Sequence, residues 1–129
     1  MAITQLIFYG LAVIAMVVYV RRLLLHRSIV HYTPGEVAAK LKNGSNTVLL
    51  DVRTPAERSN QSIKGSLHIP LQEIHAGIDH LQKFKDKEII CYCHSGNRSL
   101  TAAATLRKHG FTTANMKGGI TEWNFSGHR

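Results

Sequence analysis

Residues 6–20, LIFYGLAVIAMVVYV, carry no charged or strongly polar side chain, and this run constrains the chain more than any other feature. Extending back to Ala2 admits only Thr4 and Gln5 as polar residues, close to the ~20 residues a helix needs to cross a bilayer core. Tyr9 and Tyr19 suit the headgroup region, and Arg21, Arg22, His26 and Arg27 follow at once. Only the terminal amine precedes the run, so the positive-inside rule predicts the N-terminus outside and everything after Arg21 in the cytoplasm. A cleaved signal peptide would want its basic residues first and small residues after the apolar core. A buried core helix would be apolar on all faces, too much for a domain this small to cover. A surface-lying helix would need a polar face, and this stretch has none. The expected organisation is a single-pass transmembrane helix with its basic flank over 1–27, then one folded domain over 28–129 on the cytoplasmic side.

The formal net charge is +8, from 16 Lys and Arg against 8 Asp and Glu. That balance favours anionic partners. Nucleic acid is not among those expected, because the lysines are scattered and no basic run is interleaved with aromatics. The two cysteines, Cys91 and Cys93, are separated by one residue, a spacing poorly suited to the dihedral of a disulfide. With no other cysteine to pair, the chain reads as one in which a thiol survives as a thiol in a reducing compartment.

From residue 29 onward, strand and helix signals alternate. Residues 29–32 form a short strand signal, and Thr33-Pro34-Gly35-Glu36 has the form of a capping box with Pro at the first helical position. The helix predicted over 34–42 puts Val37, Ala38 and Leu41 on one face, and Gly44 stops it. Residues 47–50 are an apolar, β-branched run of strand length, ended by Asp51-Val52-Arg53. Thr54-Pro55 starts a loop or short helix, and 66–70 holds another short strand. Leu71, Ile74, Ile78 and Leu81 recur at helical spacing over 71–82. A strand over 87–92 runs straight into Cys93. A helix over 98–109, with Leu100, Ala103, Ala104 and Arg107 at helical intervals, is closed by Gly110. A last strand over 112–116 leads through Gly118-Gly119 to a closing helix holding Ile120 and Trp123. The alternation predicts an α/β domain with a mostly parallel sheet.

The chemistry concentrates at Cys93-His94-Ser95-Gly96-Asn97-Arg98-Ser99. A strand delivers Cys93 to the carboxyl edge of the sheet, where open α/β sheets bind ligands. The loop that follows can turn its N–H groups inward as an anion-binding nest, reinforced by the positive end of the next helix. Gly96 permits the positive φ that closes such a curve. Amide donors and the Arg98 guanidinium then favour thiolate over thiol at Cys93. Cys91, two residues earlier on the strand, reads as a core residue, as do Phe111 and Trp123. A metal site built on Cys91, Cys93 and His94 would lack a second ligand pair at finger-like spacing.

This loop resembles the active-site loop of the rhodanese family of sulfurtransferases. Three further segments agree in order: Leu50-Asp51-Val52-Arg53-Thr54-Pro55-Ala56-Glu57 is similar to the family's acidic-arginine segment. Ile63-Lys64-Gly65-Ser66-Leu67-His68-Ile69-Pro70 is similar to its isoleucine-to-proline stretch. Gly110-Phe111 with Lys117-Gly118-Gly119-Ile120 and Trp123 is similar to its closing strand and helix. Gln61-Ser62 stands where the family often has Gly-His, and His68 where asparagine is common. The resemblance implies a rhodanese-like fold and a persulfide cycle: Cys93 takes a sulfane sulfur from a donor such as thiosulfate and passes it to a thiol or cyanide. It implies that the loop amides with Arg98, Ser95 and Ser99 stabilise persulfide and donor, that Asp51 and Arg53 brace the loop, and that no cofactor is needed.

Two other functions share these features. A phosphatase or arsenate reductase also uses a cysteine-arginine anion loop, but the related phosphatases have a loop longer by one than the four residues that separate Cys93 from Arg98. A non-catalytic binding module at the membrane would commonly have lost the cysteine.

Overall fold

The computed structural model describes residues 2–44 and 46–128, with Leu25 and His26 described by their backbone alone. The alternation of strand and helix signals is realised as a five-stranded sheet of order β1-β5-β4-β2-β3. Its strands are β1 (Val30–Tyr32), β2 (Thr47–Asp51), β3 (Leu67–His68), β4 (Glu88–Tyr92) and β5 (Thr112–Met116). Every pairing is parallel. A parallel strand in the middle of such a sheet is covered on both faces, which explains why β4 is a continuous buried run from Ile89 to Tyr92 instead of alternating. Ile89 and Cys91 face one core and Ile90 and Tyr92 the other. Leu50, Ile89 and Ile90 are completely buried, each stabilising the fold by about 1.5–3 kcal/mol.

The helices are α1 (Ile3–Ser28), α2 (Pro34–Asn43), α3 (Pro55–Asn60), α4 (Ile74–Leu81), α5 (Asn97–Lys108) and α6 (Gly119–Phe125). Ile74 and Leu81 of α4 pack with Ala102, Ala103 and Leu106 of α5 on one face of the sheet. Val37 of α2 packs with Ile120 and Trp123 of α6 on the other. The Thr33 side chain caps α2 through the Glu36 N–H at 3.2 Å. Phe111 and Cys91 are core residues, as expected.

Two helices differ from the sequence expectation. The segment over 71–82 is not one helix: a 3₁₀ turn, Leu71–Glu73, precedes α4, and a second, Gln82–Phe84, follows it. Pro70 lies just outside, and its carbonyl accepts the Glu73 N–H at 2.8 Å in the tighter i to i+3 pattern. In α5 the buried residues are Ser99, Ala102, Ala103, Ala104 and Leu106, and Leu100 packs against the same core. Of the expected face, Leu100, Ala103 and Ala104 meet the core, whereas Arg107 is exposed and Leu106 takes the inward position.

The apolar N-terminal run forms most of α1, and its stretch Ile3–Leu24 is long and apolar enough to cross a membrane. None of that stretch is buried against the domain. At ~1.5 Å per residue it measures roughly 33 Å, matching a bilayer core. The helix meets the domain at its C-terminal end, where the Arg107 guanidinium donates to the Ser28 carbonyl and Ile29 enters the core. In fractionation of cells expressing the full chain, the protein should stay in the membrane pellet after an alkaline carbonate wash. Replacing Ile14 and Val17 by Arg, at about 2.5–3.5 kcal/mol each in the centre of a span, should move it to the supernatant. Release of the unaltered chain by the wash would exclude a spanning helix.

Candidate active site

β4 hands the chain to Cys93 at the carboxyl edge of the sheet, and α5 starts four residues later at Asn97. Between them the backbone curls, with Gly96 at φ +107°, a conformation open to glycine at little cost. The curl brings the Gly96 N–H to 3.0 Å from the Cys93 Sγ. The Ser99 hydroxyl lies 3.3 Å from the same sulfur and 2.5 Å from the Asn115 Oδ1, so its single proton serves two acceptors. Asn115 also donates to the Gly96 carbonyl at 3.3 Å. Burial of Cys93 pushes its thiol up, but the Ser99 hydroxyl and the N–H groups of Ser99, Gly96 and Ser95 outweigh it and hold the thiol below its ordinary value. Cys91, which lacks such donors, is pushed up to about 12 by burial.

The loop's carbonyls are taken up on its outer side. Ile120 N–H donates to the Cys93 carbonyl at 2.9 Å, and the Thr121 N–H and hydroxyl donate to the His94 carbonyl at 3.2 and 3.0 Å. This close approach requires a residue without a side chain: a Cβ on Gly119 would sit 2.4 Å from the His94 oxygen and 2.5 Å from that of Cys93. With the carbonyls turned outward, the amides are left to face the sulfur.

A buried carboxylate lies at the neighbouring strand end. Asp51 Oδ1 accepts from the Arg53 N–H at 2.9 Å and Nε at 3.0 Å. Its Oδ2 accepts from Arg53 Nη2 at 2.9 Å, Tyr92 Oη at 3.0 Å and Arg58 Nη1 at 3.3 Å. Burial alone would raise its carboxyl, and these donors, Arg53 foremost, hold it below the usual carboxylate range instead. Arg53 continues to the Gln61 carbonyl at 2.5 Å. Arg58 reaches the Ser66 carbonyl at 2.8 Å. Among the described residues, the side-chain hydrogen bonds of Asp51 and Arg53 beyond their own pair therefore run to Tyr92 and the 57–66 segment. His68, at the asparagine position, contacts the Arg53 carbonyl at 2.8 Å.

Arg98 is the other guanidinium near the loop. It forks onto Glu57, with Nη1 to Oε1 at 2.7 Å and Nη2 to Oε2 at 2.8 Å. Glu57 also closes a capping box on α3 with Thr54. Arg98 and the Thr54 contacts outweigh its partial burial and lower the Glu57 carboxyl to about 2. A cation in the first turn of α5 is opposed by the helix dipole, and Glu57 offsets that.

The expected loop residues thus divide between two places. Ser95, Gly96 and Ser99 supply donors to the Cys93 sulfur. His94, Ser95 and Arg98 line an open pocket of about 690 Å³, together with Arg53 and Glu57. Asn97 is exposed and faces a separate hollow of about 300 Å³ behind the loop, shared with His31 and Asn115. The roles of Glu57, Tyr92, Asn115 and Gly119 were not read from the sequence. Thr54-Pro55 marks the start of a loop or short helix in the sequence, but nothing local points from Glu57 to Arg98, 41 residues away.

Tyr92→Phe removes the hydroxyl that donates to Asp51 and accepts the buried Ile63 N–H at 3.1 Å. It should destabilise the domain by about 1–3 kcal/mol, read from urea denaturation midpoints. Alkylation rates of Cys93 with iodoacetamide should rise with pH to a midpoint below that of an ordinary free thiol. Ser99→Ala removes a donor that favours the thiolate, so the midpoint should move up.

A rhodanese-like domain model matches residues 33–126. A sulfurtransferase of Allochromatium vinosum is 33% identical over 88 residues, covering 67% of this chain and 80% of that protein. A structure from Rhodopseudomonas palustris, described as a possible tyrosine phosphatase, superposes with a TM-score of 0.72 at 29% identity over 80% of this chain and 85% of its own. The thiosulfate sulfurtransferase of Pseudomonas aeruginosa superposes with a TM-score of 0.72 at 25% identity, covering 80% of this chain and 20% of that longer one. With the parallel sheet, the strand-to-helix cysteine loop and these likenesses together, the chain belongs to the rhodanese-like domain family of sulfurtransferases.

Proposed function

We propose that the chain transfers sulfane sulfur through a persulfide on Cys93, acting from a single-pass anchor with its catalytic domain in the cytoplasm. The observation that carries this reading is the Cys93 sulfur set among converging donors, with the Gly96 N–H at 3.0 Å. Such a cradle favours the thiolate, the nucleophilic form. The thiolate attacks the outer sulfur of a donor, the simplest being thiosulfate. The donor's S–S bond breaks, sulfite leaves with the bonding pair, and Cys93 is left as Cys-S-S⁻. A thiol or cyanide acceptor then takes the outer sulfur, and the thiolate returns.

His94, Ser95, Gly96, Asn97, Arg98 and Ser99 form the loop that receives the donor, and Asp51 and Arg53 brace the chain around it. The longer cradle of related phosphatases supports sulfur over phosphate here, since four residues separate Cys93 from Arg98. The anchor reading is supported by the apolar, uncovered stretch of α1 and by the arginines that follow it. The domain division proposed is 1–27 for anchor and flank and 28–129 for the rhodanese-like part.

The test is intact mass spectrometry of the detergent-solubilised full chain after exposure to thiosulfate or to an organic persulfide. One added sulfur that cyanide removes as thiocyanate, and that Cys93→Ser abolishes, is the expected outcome. A chain that gains no sulfur from either donor would sink the proposal in favour of a binding module or a phosphate or arsenate enzyme.

A further inference from the structure

The pocket lined by His94 and Ser95, the two residues after Cys93, is polar and roomy, and its guanidiniums are paired. The Arg98 fork is filled by both oxygens of Glu57. Glu57 is not free to swing away, because the Thr54 N–H and hydroxyl hold its Oε1 at 3.3 and 3.1 Å, and leaving would open the cap of α3. The other guanidinium on the wall, Arg53, is spent on Asp51 and the Gln61 carbonyl. Both guanidiniums on the wall are thus paired with a carboxylate, Arg98 with Glu57 and Arg53 with Asp51. The chain's net charge of +8 draws anions towards the molecule as a whole, but adds no uncommitted guanidinium to this wall among the described residues.

The rest of the wall is uncharged hydrogen-bonding surface. Gln61 and Asn124 face each other as a reciprocal amide pair at 2.8 and 2.9 Å, beside Ser95 and Thr121. A volume of about 690 Å³ lies in the range of pockets for organic ligands, roughly 300–1,000 Å³, and exceeds what a small inorganic dianion fills. Resting on the sulfur-transfer reading above, we propose that Glu57 is a specificity-determining residue. By occupying Arg98 it selects sulfane-sulfur donors that carry no oxyanion group, organic persulfides, over the thiosulfate dianion.

The step balances without a further reactant. The Cys93 thiolate attacks the outer sulfur of R-S-SH, and the donor's S–S bond breaks. The leaving thiolate RS⁻ takes the bonding pair and then the persulfide proton, giving Cys93-S-S⁻ and RSH. Thiosulfate would bring two charges against a thiolate and Glu57, and must displace a carboxylate to reach the Arg98 fork.

The experiment compares thiosulfate with N-acetylcysteamine persulfide as donors to the detergent-solubilised full chain. The unaltered chain should show a kcat/KM at least about tenfold higher for the persulfide, the scale of one charge-assisted hydrogen bond. Glu57→Gln keeps the capping box and frees the charge of Arg98. It should raise kcat/KM for thiosulfate about tenfold, mainly through KM, and change the persulfide value less than about threefold. Asn124→Lys adds a wall cation without touching Glu57 and should favour thiosulfate in the same way, keeping the proposal testable if Glu57→Gln fails to fold. A preference of the unaltered chain for thiosulfate would overturn the selectivity while leaving sulfur transfer standing. So would an equal loss with both donors in Glu57→Gln, or an unmoved thiosulfate KM in Asn124→Lys. Failure of both donors to add sulfur to Cys93 would instead remove the underlying reading.

Discussion

The buried carboxylate of Asp51 holds together the edge of the sheet on which everything functional sits. It is completely inaccessible to solvent and is bonded by Arg53, Arg58 and Tyr92. A charge in that position is stable only while its partners stay in place, and removing one leaves a buried charge uncompensated at about 3–5 kcal/mol. The carboxylate therefore acts as a common anchor for chain segments that would otherwise be independent loops. Tyr92 brings the end of β4, Arg53 brings the turn into α3, and Arg58 brings the stretch that returns to β3. Parallel register makes this possible by setting Asp51 directly beside Tyr92 on one side and His68 on the other.

That frame also determines where α3 lies, and with it Glu57. The same short helix that packs around Asp51 offers its first-turn carboxylate to Arg98, so the charge pattern of the pocket is tied to the integrity of the strand edge. The cysteine loop is held independently. α6 takes its carbonyls from outside, Asn115 takes up the Gly96 oxygen from behind, and the amides converge on sulfur. Two supports of different origin thus meet at one site: a salt-bridged frame that shapes the pocket and a backbone clasp that sets the state of the thiol.

Cys91 and Cys93 show how far environment decides chemistry for one residue type. They are two positions apart on the same chain and both are buried. Burial without donors pushes Cys91 up to about 12. Burial with several donors leaves Cys93 below its ordinary value. The difference comes from where the strand stops: Cys91 still spends its neighbourhood on the ladder to β2 and β5, whereas Cys93 lies just past the last ladder bond, where amides are free to turn inward.

The sequence by itself determined what is local. The apolar run, the strand and helix alternation, the cap at Thr33 and the cysteine loop all depend on residues within a few positions of one another, so periodicity and spacing suffice to read them. Helix phase was harder. Arg107 sat at a helical interval but is exposed, because the facing sheet, not the helix, sets which residues turn inward. Only the tertiary structure decided the partners. That Glu57 meets Arg98, Tyr92 meets Asp51, and Asn115 meets Ser99 follows from the β2, β4 and β5 register across separations of 41, 41 and 16 residues. A charged or amide side chain carries no local mark of its partner. The charge pairing of the pocket is a property of the assembled strand ends, not of any segment within the chain.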